Sequence, residues 1–104
     1  MVYDYRGNHN FETLSITLFA PANIGVYYCG TLVNNQLIPH YVGRAVGKDV
    51  TIAKRLHEHL SVDKWPDVTH FGFCICDTPD EAIALERLEI ANRNPKYNKV
   101  GRTL

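Results

Sequence analysis

The fold is decided by residues 24–43, which read IGVYYCGTLVNNQLIPHYVG. Their β-branched and aromatic residues predict one strand over residues 24–29 and a second over residues 37–43. The intervening Val33-Asn34-Asn35-Gln36 is typical of a turn, so the two strands should form a hairpin. Pro39 has no amide hydrogen to donate, which predicts that the second strand lies at a sheet edge or carries a bulge at this point.

Two helices and a third strand are predicted after the hairpin. A helix over about residues 50–60 carries an apolar stripe at the i, i+4, i+8 spacing, formed by Ile52, Leu56 and Leu60. Residues 71–75 alternate as a buried strand. Thr78-Pro79-Asp80-Glu81 is a capping box that begins a second helix, which ends before Pro95. We predict that the packed face of this helix consists of Ala84, Leu85, Leu88 and Ala91.

The N-terminal segment adds one further element to this order. Residues 1–12 are polar and should fray, whereas residues 14–18 alternate between apolar and hydroxyl side chains, which predicts an additional half-buried strand. We therefore divide the chain into an N-terminal extension, residues 1–21, and a domain, residues 22–104. The predicted fold class is α+β: a small, mainly antiparallel sheet of about three strands, with the extra N-terminal strand, flanked by helices.

Composition limits the classes of protein that the chain can belong to. The 104 residues include 11 Lys and Arg against 11 Asp and Glu, so the formal net charge is zero and argues neither for nor against a polyanionic partner. This length suits one domain and excludes a two-domain enzyme. The apolar runs are too short to cross a bilayer or to form a signal-peptide core, so we expect a cytoplasmic protein with no membrane partner.

Three polar side chains border the apolar stripes of the predicted helices. Arg55 and His59 lie four residues apart, beside the stripe of the first helix. They could line a pocket, or Arg55 could cover the core edge with its aliphatic stem while His59 makes a surface hydrogen bond. On the second helix, Ile83 and Ile90 flank Glu86, so its carboxylate requires a partner, either an arginine or a metal ion.

Glycines beside tyrosines mark the predicted hairpin. Tyr27 and Tyr28 should point to opposite faces of their strand, one to the core and the other to a surface or cleft. Gly25 and Gly43 each lie two residues from a hairpin tyrosine, Tyr27 and Tyr41. Since glycine weakens a strand, we expect another group to approach the backbone closely at these two positions.

These residues resemble the signature of a known family. Gly25-Val26-Tyr27 and Tyr41-Val42-Gly43 are similar to the two halves of the GIY-YIG motif, which names a family of metal-dependent nucleases, with valine in place of each isoleucine. The remaining motifs of that family are also matched in order and spacing. They correspond to Arg55 with His59, to Glu86, and to Pro95-Lys96-Tyr97-Asn98. The resemblance covers about residues 23–100.

The resemblance implies hydrolysis of a nucleic-acid phosphodiester bond. Glu86 would hold a divalent cation, Mg²⁺ or Mn²⁺, with one ion per active site. Arg55 would bind the scissile phosphate and stabilise the charge of its transition state. Tyr27, or in second place Tyr41, would activate the attacking water, with His59 accepting or relaying the proton.

The same resemblance implies DNA, duplex or branched, as the partner. Asn98 would position the site by hydrogen bonding. Basic residues could bind phosphates beside the cut without reading sequence: Arg44, Lys48, Arg93, Lys96, Lys99 and Arg102. Because one domain has one site and cuts one strand, a double-strand break would need a homodimer or two encounters. Specificity would need loops or a separate DNA-targeting partner.

Two alternatives belong to other classes of protein. The first is a catalytically silent nucleic-acid-binding module with the same fold. The second is a metal-binding protein that uses Cys74, Cys76 and His70. These two cysteines, together with Cys29, are otherwise expected to be buried free thiols, because their spacing does not match a CxxC site. Trp65 follows the first helix and is interpreted as a packing residue or a DNA contact.

Overall fold

The predicted hairpin is present as two long strands, β2 (Gly25–Val33) and β3 (Gln36–Ala45). The computed structural model describes residues 3–99, with the backbone alone at Lys99. Asn34 and Asn35 join the strands with φ angles of 53° and 64°. Two consecutive residues with positive φ are the mark of a type I′ turn, whose twist matches that of the strands it connects. The turn prediction is therefore confirmed.

Two further strands, β1 (Tyr5–Asn10) and β4 (His70–Ile75), complete a four-stranded antiparallel sheet. Its order is β1-β4-β2-β3, so β3 is an edge strand. The register of the hairpin shifts where Cys29 pairs with Tyr41 while Gly30 pairs with Pro39. Pro39 thus lies both at an edge and next to a bulge, as its missing amide hydrogen requires.

Helices cover both faces of the sheet. On one face lie α1 (Thr13–Phe19) and α2 (Ile52–Val62), and on the other lies α3 (Pro79–Arg93). The short α4 (Lys96–Lys99) contacts the edge strand β3. The core therefore has two parts. One contains Tyr27, Ile52, Leu56, Phe71 and Phe73, and the other contains Val26, Tyr28, Val42, Cys74 and Leu85. The α+β prediction is confirmed, and no helix within residues 3–99 has both the length and the apolarity needed to cross a bilayer.

The strand predicted over residues 14–18 is wrong, because these residues form α1. Leu14 and Leu18 are each 64% exposed, whereas Ile16 is fully buried against the core. The additional N-terminal strand is instead β1, which lies in the polar segment that was expected to fray. Hydrogen bonding to β4 holds β1 in place, so strand pairing outweighs its low intrinsic preference for a strand.

The two long helices begin at side-chain caps. Thr51 accepts a hydrogen bond from Lys54 N at the start of α2, and Thr78 accepts one from Glu81 N at the start of α3, as the capping box predicts. The predicted packed face of α3 is largely wrong. Of its four members only Leu85 is buried, and the others, Ala84, Leu88 and Ala91, are exposed. Glu86 lies on the buried side instead, since an arginine on β3 neutralises it there.

Candidate active site

The two tyrosine motifs, Gly25-Val26-Tyr27 and Tyr41-Val42-Gly43, lie in neighbouring strands of the hairpin and are in close contact. Tyr27 pairs with Gly43 across β2 and β3, and the phenol of Tyr27 lies over this glycine. A Cβ atom on Gly43 would stand 2.4 Å from Tyr27 Oη, and one on Gly25 would stand 2.2 Å from the carbonyl oxygen of Cys74. Both glycines are therefore required by close approach, as expected.

Tyr27 and Tyr28 point to opposite faces of β2, and both are buried. Tyr27 faces the core, and Tyr28 lines a cavity on the opposite side of the sheet, as expected for one core-facing and one cleft-facing tyrosine. Tyr28 donates a hydrogen bond of 2.6 Å to Glu89 Oε2 on α3, whereas Tyr27 faces α2. Only Tyr27 is thus on the side of Arg55 and His59.

Three side chains form a hydrogen-bonded chain beneath α2. Tyr27 Oη lies 2.7 Å from His59 Nε2, and His59 Nδ1 lies 2.5 Å from Asp63 Oδ2. An ionised carboxylate can only accept, so this arrangement favours the neutral imidazole with its hydrogen on Nδ1, whose Nε2 can accept from the phenol. His59 itself is buried, and its hydrogen bond to Asp63 reaches a carboxylate that is partly exposed.

Burial sets the protonation states along this chain. Desolvation raises the pKa of the Tyr27 phenol far above its ordinary value of 10.0, although the positive charge of Arg55 beside it acts in the opposite direction. Desolvation also lowers the pKa of His59, against the raising effect of its bond to Asp63. At neutral pH the phenol therefore keeps its proton, and the imidazole is uncharged and able to accept one.

A cleft of about 640 Å³ opens beside the edge strand β3, between α2 and α3. Tyr41 and Arg44 of β3, Arg55 of α2 and Glu86 of α3 all line it, so three distant parts of the sequence meet here. The rest of its lining is Val46, Asp49, Val50, Lys54 and Glu58. Arg55 donates to Glu58 at 2.6 Å, which leaves its guanidinium at the wall of the cleft.

Glu86 has the arginine partner that its position requires. Its Oε1 accepts a hydrogen bond of 2.7 Å from Arg44 NH1. The side chain of Glu86 is 6% exposed and that of Arg44 is 41% exposed, so the acid is enclosed while the cation remains in contact with solvent. The expectation of a partner is thus confirmed, and Arg44 supplies it.

Asn98 holds the second tyrosine motif from the open edge of β3. Its Oδ1 accepts from Val42 N and its Nδ2 donates to Val42 O, both at 2.8 Å. A carboxamide can pair with a backbone amide in this way because it carries both a donor and an acceptor. Asn98 therefore replaces a missing neighbouring strand at the residue between Tyr41 and Gly43.

Aromatic packing accounts for Trp65. Its ring stacks on Tyr41, His59 and Tyr97, with centroid separations of 5.0, 5.0 and 5.3 Å. Trp65 thus packs against both His59 and Tyr41, as its interpretation as a packing residue predicts.

The predicted basic contacts are dispersed over the molecule. Arg44 lines the cleft, and Lys48 lies exposed in the turn before α2. Arg93 lines a second cavity, of about 720 Å³, beside Tyr28 and Glu89, and Lys96 forms an ion pair with Asp67. The side chain of Lys99 and all of Arg102 lie outside the residues that the structure describes.

The three cysteines are free and buried. Within residues 3–99, no group of three or more His, Cys, Asp or Glu side chains could together hold a metal ion. The alternative site of Cys74, Cys76 and His70 is therefore not assembled.

Sequence reasoning missed Asp63 and Glu58. Asp63 lies four residues after His59, and Glu58 lies three residues after Arg55. Spacings of three and four residues bring side chains together on a helix, so this signal was present in the sequence.

Comparison with known proteins adds no assignment, because no protein-family model and no curated protein matches the chain.

Proposed function

We propose that this protein is a metal-dependent endonuclease of the GIY-YIG type that hydrolyses phosphodiester bonds of DNA. The observation that carries the proposal is the meeting of Glu86, Arg55 and Tyr41 in one cleft, with Tyr27 and His59 directly behind it. An acid, a guanidinium and a phenol are the groups that cation binding, phosphate binding and water activation require.

In this proposal Glu86 holds a single Mg²⁺ or Mn²⁺ ion. Such ions prefer oxygen ligands, keep several of their waters and commonly bind through one or two carboxylates plus the substrate phosphate. One enclosed carboxylate that opens into a cleft fits this mode, provided that it exchanges or shares its bond to Arg44. When bound, the ion would stabilise negative charge on the phosphoryl oxygens.

Arg55 binds the scissile phosphate in the proposed mechanism. A guanidinium at the wall of the cleft can make two parallel hydrogen bonds to phosphate oxygens and offset the added charge of the transition state. Binding of a phosphate would also draw Arg55 away from Tyr27, beside which it lies, and open a path from the cleft to this buried phenol.

Proton transfer runs through the chain from Tyr27 to His59. The attacking water forms the new bond to phosphorus as the bond to the leaving oxygen breaks, and the leaving oxygen takes a proton from solvent. The water gives its proton to Tyr27 Oη while Tyr27 gives its own to His59 Nε2. Because burial raises the pKa of Tyr27, this relay avoids a free phenolate. Tyr41, which lines the cleft itself, is the second candidate for this role.

A catalytically silent nucleic-acid-binding module is the second candidate function. The ion pair between Arg44 and Glu86 favours it, because a paired acid can be buried for structural reasons alone. The two candidates differ in turnover, since only the nuclease should cut DNA.

The test is incubation of the purified chain with supercoiled plasmid, single-stranded DNA and RNA, with Mg²⁺ or with a chelator. We expect nicking of the plasmid that requires Mg²⁺ and disappears in Glu86→Gln. Glu89→Gln is the matched control, because it changes the same residue type on α3 outside the cleft. Binding without cutting in the unmodified chain would favour the silent module, and cutting by Glu86→Gln would refute the assignment.

The three free cysteines suit a reducing compartment, so we also propose that the protein is cytoplasmic. Because residues 3–99 form one such cleft, we propose that double-strand breaks require a homodimer or two encounters, and that targeting depends on a separate DNA-binding partner.

A further inference from the structure

The end of α2 holds an acid where helix electrostatics disfavours one. Asp63 is the C-cap residue, and its backbone N–H donates to the carbonyl oxygen of His59. The C-terminus of a helix carries a partial negative charge, which favours cations and opposes carboxylates. Asp63 therefore needs a compensating interaction, and its side chain finds one at His59 Nδ1, 2.5 Å away.

Both ring nitrogens of His59 are engaged by different parts of the fold. Nδ1 is bound by Asp63 from the same helix, and Nε2 meets Tyr27 from β2. The ring is also enclosed by Tyr41 of β3 and by Trp65, each about 5 Å away between centroids. The imidazole therefore has little freedom to rotate.

The charged and titratable groups that act on His59 come from three elements. On α2 these groups are Asp63, Glu58 and Arg55. Tyr27 of β2 and Tyr41 of β3 complete the set. Two of these groups contact the ring nitrogens: the Tyr27 phenol, which can donate or accept, and the Asp63 carboxylate, which when ionised can only accept. The carboxylate is therefore the group able to select which nitrogen carries the hydrogen.

We infer that Asp63 is a positioning residue that holds His59 as its Nδ1–H tautomer, with Nε2 free to accept the proton of Tyr27. Its effect on turnover rests on the proposed function, whereas the tautomer does not. Without the carboxylate, the hydrogen can move to Nε2, and Tyr27 then meets a donor in place of an acceptor. A carboxylate that orients a histidine through its other nitrogen is a recurring device in proteins.

Nitrogen-15 NMR of the imidazole rings tests the inference without any measurement of activity. The chain has five histidines, and the signals of His59 are those that disappear in His59→Gln. We expect the Nδ1–H pattern in the unmodified chain and a shift toward the Nε2–H pattern in Asp63→Asn. Asp63→Glu should restore the Nδ1–H pattern, and Asp80→Asn, an equal change of charge on α3, should leave it unchanged.

The nuclease assay measures the consequence for the proposed reaction. In Asp63→Asn we expect turnover to fall by about 10- to 100-fold, in the range seen for outer partners of functional histidines. The acidic limb of its pH profile should move to lower pH, because Asp63 stabilises the protonated ring. Asp63→Glu should recover both the turnover and the position of the acidic limb.

The outcomes separate this inference from the proposed function. An Nε2–H tautomer in the unmodified chain, or an unchanged tautomer in Asp63→Asn, would overturn the role of Asp63. If the unmodified chain cuts no DNA while the tautomer responds to Asp63, the positioning role stands and the nuclease proposal fails. Should Asp63→Asn fail to fold, the spectra of the unmodified chain and of Asp63→Glu still decide the tautomer.

Discussion

The guanidinium of Arg44 lies 2.7 Å from Glu86 Oε1 and ties the edge strand β3 to α3 beside the candidate cleft. The acid is the enclosed member of this pair and the arginine the solvated one. Removal of the arginine would leave a buried carboxylate without its partner, which costs more than the loss of a surface ion pair.

We therefore predict that Arg44→Gln lowers the free energy of unfolding by about 1–2 kcal/mol, because Arg44 is partly solvated and the penalty is below that of a fully buried pair. Urea unfolding measures the change. Arg87→Gln, which removes an exposed arginine from α3, should change stability by less than about 0.5 kcal/mol. Equal effects of the two substitutions would contradict the structural role of the pair.

Mg²⁺ should affect Arg44→Gln more than the unmodified chain. Because Arg44 and a divalent cation compete for the same carboxylate, loss of the arginine should increase the rise in melting temperature that added Mg²⁺ produces. A thermal melt with and without Mg²⁺ measures this rise. The double variant Arg44→Gln with Glu86→Gln should show no rise, and a rise in it would place the ion elsewhere.

Tyr27→Phe should reduce turnover by about 100-fold or more, because it removes the hydroxyl that links the cleft to His59. The nicking assay measures the rate under conditions in which the variant is folded. Tyr28→Phe is the matched control, since the neighbouring phenol faces α3, and it should keep the rate. A normal rate in Tyr27→Phe, together with a loss in Tyr41→Phe, would transfer water activation to Tyr41.

Stability should fall as the pH is lowered from 7 to 5. Burial lowers the pKa of His59 and of His9 below 6.5, so in this range the unfolded chain binds protons that the folded protein does not. Each histidine contributes at most about 1.4 kcal/mol per pH unit. The Asp67 carboxyl, whose pKa its bonds to Lys96 and Tyr97 lower to about 2, changes its charge below this window.

Urea midpoints across that pH range measure the slope. The slope should become shallower in His59→Gln and stay unchanged in His57→Gln. His57 lies on the same helix but is not hydrogen-bonded to Tyr27, so it is the matched control. The same slope in both variants would show that His59 does not carry the effect.

Asn98→Ala should destabilise the protein by about 1–3 kcal/mol, because Val42 would lose both hydrogen bonds at the sheet edge. Hydrogen exchange at the Val42 amide should accelerate in parallel. Asn94→Gly is the control, since Asn94 has a φ of 50°, which glycine adopts readily, and it should be nearly neutral. An unchanged exchange rate at Val42 in Asn98→Ala would contradict the proposed support of the second tyrosine motif.

Local patterns predicted the elements that depend on neighbours in sequence. The asparagine turn, the edge position of Pro39 and the start of α3 at Thr78 each follow from the chemistry of a few adjacent residues. The same reasoning failed at α1, because an alternation of apolar and hydroxyl residues over five positions does not distinguish a strand from a short helix with one buried residue.

Tertiary structure alone decided how polar groups on different helices and strands pair. The sequence by itself determined that Glu86 needs a partner and that Gly43 needs a close neighbour, since a buried charge and a strand glycine are costly wherever they occur. That the partner is Arg44 and the neighbour is Tyr27 depends on the sheet register and on the side of α3 that is buried. The register and the buried side of α3 are set by packing across the whole molecule. They could not be predicted, because contacts between residues distant in sequence leave no local pattern.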